Sequence, residues 1–333
     1  MRRLMTTLTA GLLLAAAVGC GTDQSGQSQD VTVEGEFGAE PQVTFPSASS
    51  PGELSARVAS EGDGDPVQQG DLVVADYAAY TWAGSGEAAE PMESTWQLGQ
   101  PYGFNVTPDM VQQWMIDSIV GQPVGSRVVM VVPPDEMGQQ TASSGGDTVF
   151  VMDILETYPS GSEVPGEEGF DGGSDLPSVE VASGQRPEVS IPEGDAPGEL
   201  QVEVLVEGEG PVVEAGQYLV TQYTGVSWQS GEVFDSSWDR EGAPTGFPIG
   251  VGQVIPGWDE GLVGQPVGSR VLLSIPAAQA YGEDEAAHEL GGQDLVFVID
   301  ILGAHGEPPE PSASPSASDG AEPSASPEAS PSE

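Results

Sequence analysis

The chain has a single cysteine, Cys20, so no disulfide can form within it. It has no lysine, and its seven Lys+Arg positions, all arginine, stand against 53 Asp+Glu for a formal net charge of −46. Binding nucleic acid means neutralising phosphates with a basic patch, so this balance argues against that partner. The same charge repels an anionic membrane surface. A long hydrophobic run is missing too: apolar residues 8–18 follow Arg2 and Arg3 but are too few to span a bilayer. No spaced Asp/Asn loop closes on a Glu in the way that cages calcium, so the acidity reads as solubility and extended linkers. No metal site or cofactor is indicated.

What is present begins with a leader. Two arginines, the short apolar run and small residues read as a secretory signal over 1–19. "AVGC" at 17–20 resembles the lipobox of bacterial lipoproteins, although Ala17 stands where that motif more often has Leu. The resemblance implies that Cys20 is lipidated and holds the protein at the extracytoplasmic face of the cell membrane without spanning it. The alternative is a cysteine that happens to lie beside an ordinary signal-peptidase site.

At 333 residues with 46 Gly and 29 Pro, the chain has room for about two domains and loop-rich connections. Residues 20–50 are Ser, Gly, Gln and acidic, and read as a disordered tether. A linker follows at 158–196, where "VEVASGQRPEVSIP" offers a short strand or packed arm. Residues 304–333 form a Pro/Ser/acidic tail, disordered by composition. Between them lies a repeat of 51–157 in 197–303. Tyr77 faces Tyr223 and Trp82 faces Trp228, "VFVMDIL" faces "VFVIDIL", and "VGQPVGSRV" occurs twice unchanged. Each copy has mostly two-residue periodicity in short Val-, Leu-, Ile- and aromatic-rich runs, which predicts antiparallel strands. Only "GWDEGLVG" reads as helical. One short helix is then what each sheet has to cover its apolar face.

Residues 223–302 carry five motifs in order: "YTG", "GEVFDSSWDR", "FPIGVGQVIPGWDEGLVGQPVGSR", "AYG" and "LVFVIDIL". Together they resemble an FKBP-type peptidyl-prolyl cis/trans isomerase. The resemblance implies an α+β fold, with two FKBP-like domains, each a curved antiparallel β-sheet wrapped around one short α-helix. It also implies an aromatic proline pocket. Trp258 matches its floor and Tyr223, Phe234 and Phe297 its walls, while Asp235 and Tyr281 match the polar pair facing the twisted amide. Arg240 matches the partner of Asp235, and Val254 and Ile255 match the rim, where the Ile255 N–H holds a substrate carbonyl. Phe247 and Leu290 complete the substrate-binding set. Thr245 stands where the family often has another aromatic. Singly, each of these aromatic residues reads as core packing, and "FDSS" as a turn. The implied partners are proline-containing polypeptides and macrolide-type inhibitors.

The first copy keeps Tyr77 but has Met92 and Glu93 for Phe234 and Asp235, Met115 for Trp258, and "EMG" for "AYG". It reads as a degenerate domain, with the active site in the second copy only. Two further readings are a peptide-binding or holdase chaperone lipoprotein without catalysis, and a purely structural envelope lipoprotein.

Overall fold

The computed structural model describes residues 31–83, 88–138, 146–166 and 169–308. The leader, Cys20 and most of the C-terminal tail lie outside them.

The sequence repeat becomes two lobes with one plan. In the first, β1 (Thr32–Glu34), β2 (Gln42–Thr44), β3 (Ser55–Ser60), β4 (Leu72–Thr81), β5 (Ala88–Ala89) and β6 (Glu93–Ser94) lead into α1 (Thr95–Leu98) and β7 (Tyr102–Asn105). Then come α2 (Gln113–Ile119), β8 (Arg127–Val132) and β9 (Thr148–Tyr158). The sheet order is β3-β8-β9-β4-β6, with β7 also paired to β4. A hairpin of β10 (Ser178–Glu180) and β11 (Glu188–Ser190) separates the lobes in sequence. The second lobe contains β12 (Gln201–Val206), β13 (Tyr218–Ser227), β14 (Val233–Ser236), β15 (Thr245–Pro248), α3 (Pro256–Leu262), β16 (Arg270–Ile275) and β17 (Leu295–His305). Its order is β12-β16-β17-β13-β14, with β15 on β13. Both sheets are antiparallel throughout, and the expected α+β architecture is what forms. Even an irregularity recurs, since the central register slips between Val74 and Ala75 in one lobe and between Val220 and Thr221 in the other.

One short helix does not cover a whole sheet, and the structure supplies a second cover. On one face of the second sheet, Trp258 and Leu262 of α3 pack with Leu273, Ile275 and Phe297. On the other, Phe170, Val179 and Ile191 of the hairpin segment pack on Val226, Trp228, Leu272 and Val298. β13 is therefore buried along its whole length. The first lobe uses the segment before it in the same way: Val31, Val43 and Phe45 lie on Tyr80, Trp82, Val129 and Val151. Composition predicts a disordered tether to residue 50, but from Val31 onward the chain is a packed arm. Val31, Val43 and Phe45 are buried against the sheet, each contributing about 1.5–3 kcal/mol, while Phe37 stays exposed.

The twice-kept "VGQPVGSRV" explains how the arms are held. Arg127 and Arg270 are the two largest fully buried side chains. Arg270 makes a two-pronged contact with Asp300, at 2.6 Å from Nε and 2.8 Å from Nη2, and donates to the carbonyls of Gly166 and Val164 at 2.8 Å. Val164 N–H returns a bond to Asp300 at 2.8 Å. Arg127 repeats this with Asp153, Gly35 and Ala39. The preceding serines, Ser126 and Ser269, each accept the amide of Gly62 or Gly208 at 2.9 Å. A Cβ at either glycine would lie within 2.2 Å of a backbone carbonyl oxygen, so these positions admit no side chain.

The lobes meet through Leu72, Val74, Tyr218 and Val220, joined by Tyr158 and Leu302. The Tyr218 ring lies against Gly103 of β7 and Gly246 of β15, where a Cβ on either would come within 2.4 Å of it. Tyr158 Oη and His305 Nε2 are 2.6 Å apart across this contact.

Candidate active site

The second-lobe site begins with how closely α3 lies on its sheet. Pro256 opens the helix at its first turn, where a missing N–H costs nothing. Gly257 and Gly261, one turn apart, face the sheet as bare backbone. A Cβ on Gly257 would sit 2.5 Å from Ile275 Cγ2, and one on Gly261 2.8 Å from Leu273 Cδ2. This approach sets Trp258 into the floor of a cavity of about 480 Å³. Asp259, the next residue, takes the amides of Gly250 and Gly252 at 2.6 and 2.8 Å and so ties the rim loop to the helix.

The floor and walls meet edge to face. Trp258 lies 5.3 Å from Tyr223 at 82° and 5.1 Å from Phe297 at 87°, and Phe234 meets Phe297 at 5.5 Å and 89°. Such contacts are worth about 0.5–1.5 kcal/mol each beyond area burial, and they fix ring orientation. Phe247 flanks Trp258 at 5.0 Å. Val254, Ile255 and Tyr281 also line the cavity, as do Gln253, Pro256 and Ala280, which the sequence reading did not single out. Thr245 is in the wall, leaving that side without a ring. Among the described residues, none accepts a hydrogen bond from the Ile255 amide.

Gly225 makes the arrangement possible. A Cβ there would come within 2.6 Å of Phe234 Cζ and 2.8 Å of Phe297 Cε1. The two rings occupy the space a side chain would need.

At the rim, Asp235 accepts hydrogen bonds from the Tyr223 hydroxyl and from Arg240 Nη1 at 2.8 Å. Arg240 Nη2 reaches the same hydroxyl at 2.9 Å, and the guanidinium lies 5.6 Å over the Tyr223 ring. Burial, then the bond to Asp235, pushes the Tyr223 hydroxyl up to about 12, against the opposing pull of Arg240, so it stays a donor at neutral pH. Burial and the nearby Asp235 also raise the Tyr281 hydroxyl. Asp235 and Arg240 are 44% and 49% exposed, which limits their ion pair to roughly 0–1 kcal/mol of stability. Their contribution is to hold positions. Tyr281 stacks on His288 at 4.1 Å and 4°. Leu290, expected to bind substrate, does not line the cavity. Its loop turns back on itself through Leu290 N–H to His288 Nδ1 at 3.0 Å and Gly292 N–H to the Gly282 carbonyl at 2.8 Å.

The sequence profile described as FKBP-type peptidyl-prolyl cis-trans isomerase matches residues 210–302. An FK506-binding protein of Streptomyces anulatus is 45% identical over 120 residues, covering 35% of this chain and 96% of the relative. A probable FK506-binding protein of Corynebacterium glutamicum is 41% identical over 120 residues, covering 36% and 99%. The chain belongs to the FKBP-type peptidyl-prolyl cis-trans isomerases. Peptidyl-prolyl cis-trans isomerase FKBP15-1 of Arabidopsis thaliana is a further relative, 39% identical over 113 residues, covering 33% of this chain and 72% of the relative.

The FKBP profile falls within the second lobe, and the first lobe departs from it at the matching positions. Strand register pairs Ala79 with Glu93 as Gly225 pairs with Asp235. Ala79 thus carries a methyl group where the rings of Phe234 and Phe297 close on Gly225, and Met92, in place of Phe234, is exposed. In α2, Trp114 and Ser118 stand where α3 has Gly257 and Gly261. The indole has moved one residue along, is buried, and packs on Phe150 at 5.4 Å, while Met115 takes the floor position. Ile116 is buried where Asp259 ties the second rim. Both Trp114 and Trp258 bury an indole N–H that has no acceptor among the described residues.

Proposed function

We propose that the second lobe catalyses cis/trans isomerisation of X–Pro bonds in exported polypeptides, that the first lobe does not, and that a lipid on Cys20 holds the protein at the outer face of the cell membrane. The observation that carries the catalytic reading is the ring-lined cavity floored by Trp258, with Asp235, Tyr223 and Arg240 linked at its rim. Rotation about an X–Pro bond breaks amide resonance against a barrier of ~18–20 kcal/mol. It needs no nucleophile. The twisted amide has less charge separation than the planar one, so a dry aromatic cavity favours it over the ground state. The proline ring sits on Trp258 between Tyr223, Phe234, Phe247 and Phe297. The free Ile255 amide at the Val254–Ile255 rim takes the carbonyl of the residue after proline, and Asp235 and Tyr281 face the rotating carbonyl. A ten-thousand-fold acceleration asks for only about 5.5 kcal/mol of differential binding.

Both bacterial relatives are named for binding FK506. A macrolide of that type fits the same apolar cavity and competes with the peptide. The test is the cis-to-trans rate of a short proline peptide with the full chain lacking its leader. A rate well above the uncatalysed one, abolished by stoichiometric FK506, supports the reading, and an uncatalysed rate with folded protein refutes it. The anchor is tested separately. Cys20→Ser should move the protein from the membrane to the soluble fraction, and unchanged membrane association would place the anchor elsewhere. Among the described residues no helix is long and apolar enough to cross a membrane.

A further inference from the structure

The first lobe retains a cavity of about 280 Å³ at the position of the second-lobe site, lined by Tyr77, Glu93, Met110, Met115, Phe150 and Met152 among others. Tyr77 Oη donates to Glu93 Oε1 at 2.6 Å, as Tyr223 does to Asp235. The cation is gone. Arg240 stands four residues after Ser236, and four residues after the matching Ser94 stands Leu98, 72% exposed. Among the described residues no basic side chain pairs with Glu93: Arg127 is buried on Asp153, and Arg57 donates to the Val31 carbonyl. Around the mouth, Met92, Tyr102 and Met110 are exposed, so apolar surface continues outward from the cavity.

From this geometry we infer that the first lobe is a second peptide-binding site, which takes a large unbranched or aromatic side chain of a partner polypeptide next to an arginine or lysine. This goes beyond the isomerase reading of the second lobe and holds whether or not that reading does. Methionines adapt to side chains of different shape because their thioethers are flexible and polarisable. A carboxylate whose intramolecular cation has become Leu98 takes its counter-ion from the ligand, in a charge-assisted hydrogen bond. The net charge of −46 draws basic segments to the surface and repels acidic ones. With Met92 turned outward and no tyrosine in the 136–138 turn, the site binds without isomerising.

The test uses the full chain lacking its leader and a fluorescein-labelled, proline-free peptide with one phenylalanine between two arginines. Polarisation should show saturable binding that weakens at least fivefold in Glu93→Gln and at least fivefold for a peptide with alanine in place of phenylalanine. Phe234→Ala, in the other lobe, should leave it unchanged. The rate of proline isomerisation should be unaffected by Glu93→Gln. Because Glu93 is exposed, that variant keeps its fold, which a matching melting curve verifies. Several results would overturn the proposal: no saturable binding, equal binding by wild type and Glu93→Gln (charge acting over the whole acidic surface), loss in Phe234→Ala (occupation of the second-lobe site), or binding only when the peptide carries proline.

Discussion

At position 225 the two lobes differ by one methyl group, with Gly225 in the second and Ala79 at the matching place in the first. Gly225→Ala would push a methyl group into Phe234 and Phe297, the change that the first lobe carries naturally as Ala79 with Met92 turned out. The expected outcome is a fall in isomerisation of tenfold or more with little loss of melting temperature, checked by peptide kinetics beside a thermal melt. Trp258 behaves differently, because among the described residues its N–H has no partner. Trp258→Phe should keep most of the activity, since it retains an aromatic floor and removes a buried orphan donor worth about 1–3 kcal/mol. Trp258→Ala removes floor and core together and should cost about 3–5 kcal/mol of stability. Asp235→Asn keeps volume and one acceptor, so its rate should fall less than that of Phe234→Ala. The aromatic positions and Asp235 were legible in the sequence because motif order fixes them. Gly225 and Asp259 were not, since a missing side chain and a rim-tying carboxylate show their use only once the neighbouring rings and loop amides are in place.

At the scale of elements, the arms matter as much as the helices. A buried arginine gains from its carboxylate only where its donors are matched, and four of the five N–H donors of Arg270 are taken by Asp300 and two arm carbonyls. Burial raises the Asp300 carboxyl and the Arg270 contact opposes that rise, so removing the arginine leaves an uncompensated acid. Arg270→Ala should therefore lower stability by about 3–5 kcal/mol in denaturant titration and expose the β10–β11 hairpin to protease. An unchanged midpoint would show that the arm is held by its apolar contacts alone. The strands and α3 were readable from two-residue alternation and from "PGWDEGL". The arms were obscured for two physical reasons. Their strands are only three residues long, with apolar residues diluted by Gly and Glu. Their clamps end on backbone carbonyls, which leave no pattern in side-chain chemistry. "VGQPVGSRV" could thus be read as frame without its partner being visible.

At the scale of the whole molecule, the lobes are coupled through a contact containing a histidine. Burial lowers His305 from its ordinary 6.5 to about 4, so it is neutral and able to accept the Tyr158 hydroxyl at Nε2. Its folded pKa lies below the unfolded one, so the unfolded chain takes up the proton first. The stabilisation is complete above about pH 6.5 and is lost as pH falls towards 4. Between those limits the melting temperature of the wild type should drop more steeply than that of His305→Phe, and parallel curves would remove the histidine from the account. The two-lobe plan was legible from the repeat, but the interlobe contact was not, because Tyr218, Gly103 and Gly246 are ordinary strand residues until the lobes meet. The proposed activity of the second lobe rests on the rings around Trp258, whose apolar surface favours the twisted amide. The most direct measurement is the cis-to-trans rate constant of a proline peptide with three folded full-length proteins: wild type, Phe234→Ala and Met115→Ala. The rate should fall at least tenfold in Phe234→Ala and stay unchanged in Met115→Ala. A Phe234→Ala protein as fast as wild type, or a loss in Met115→Ala of similar size, would contradict this reading.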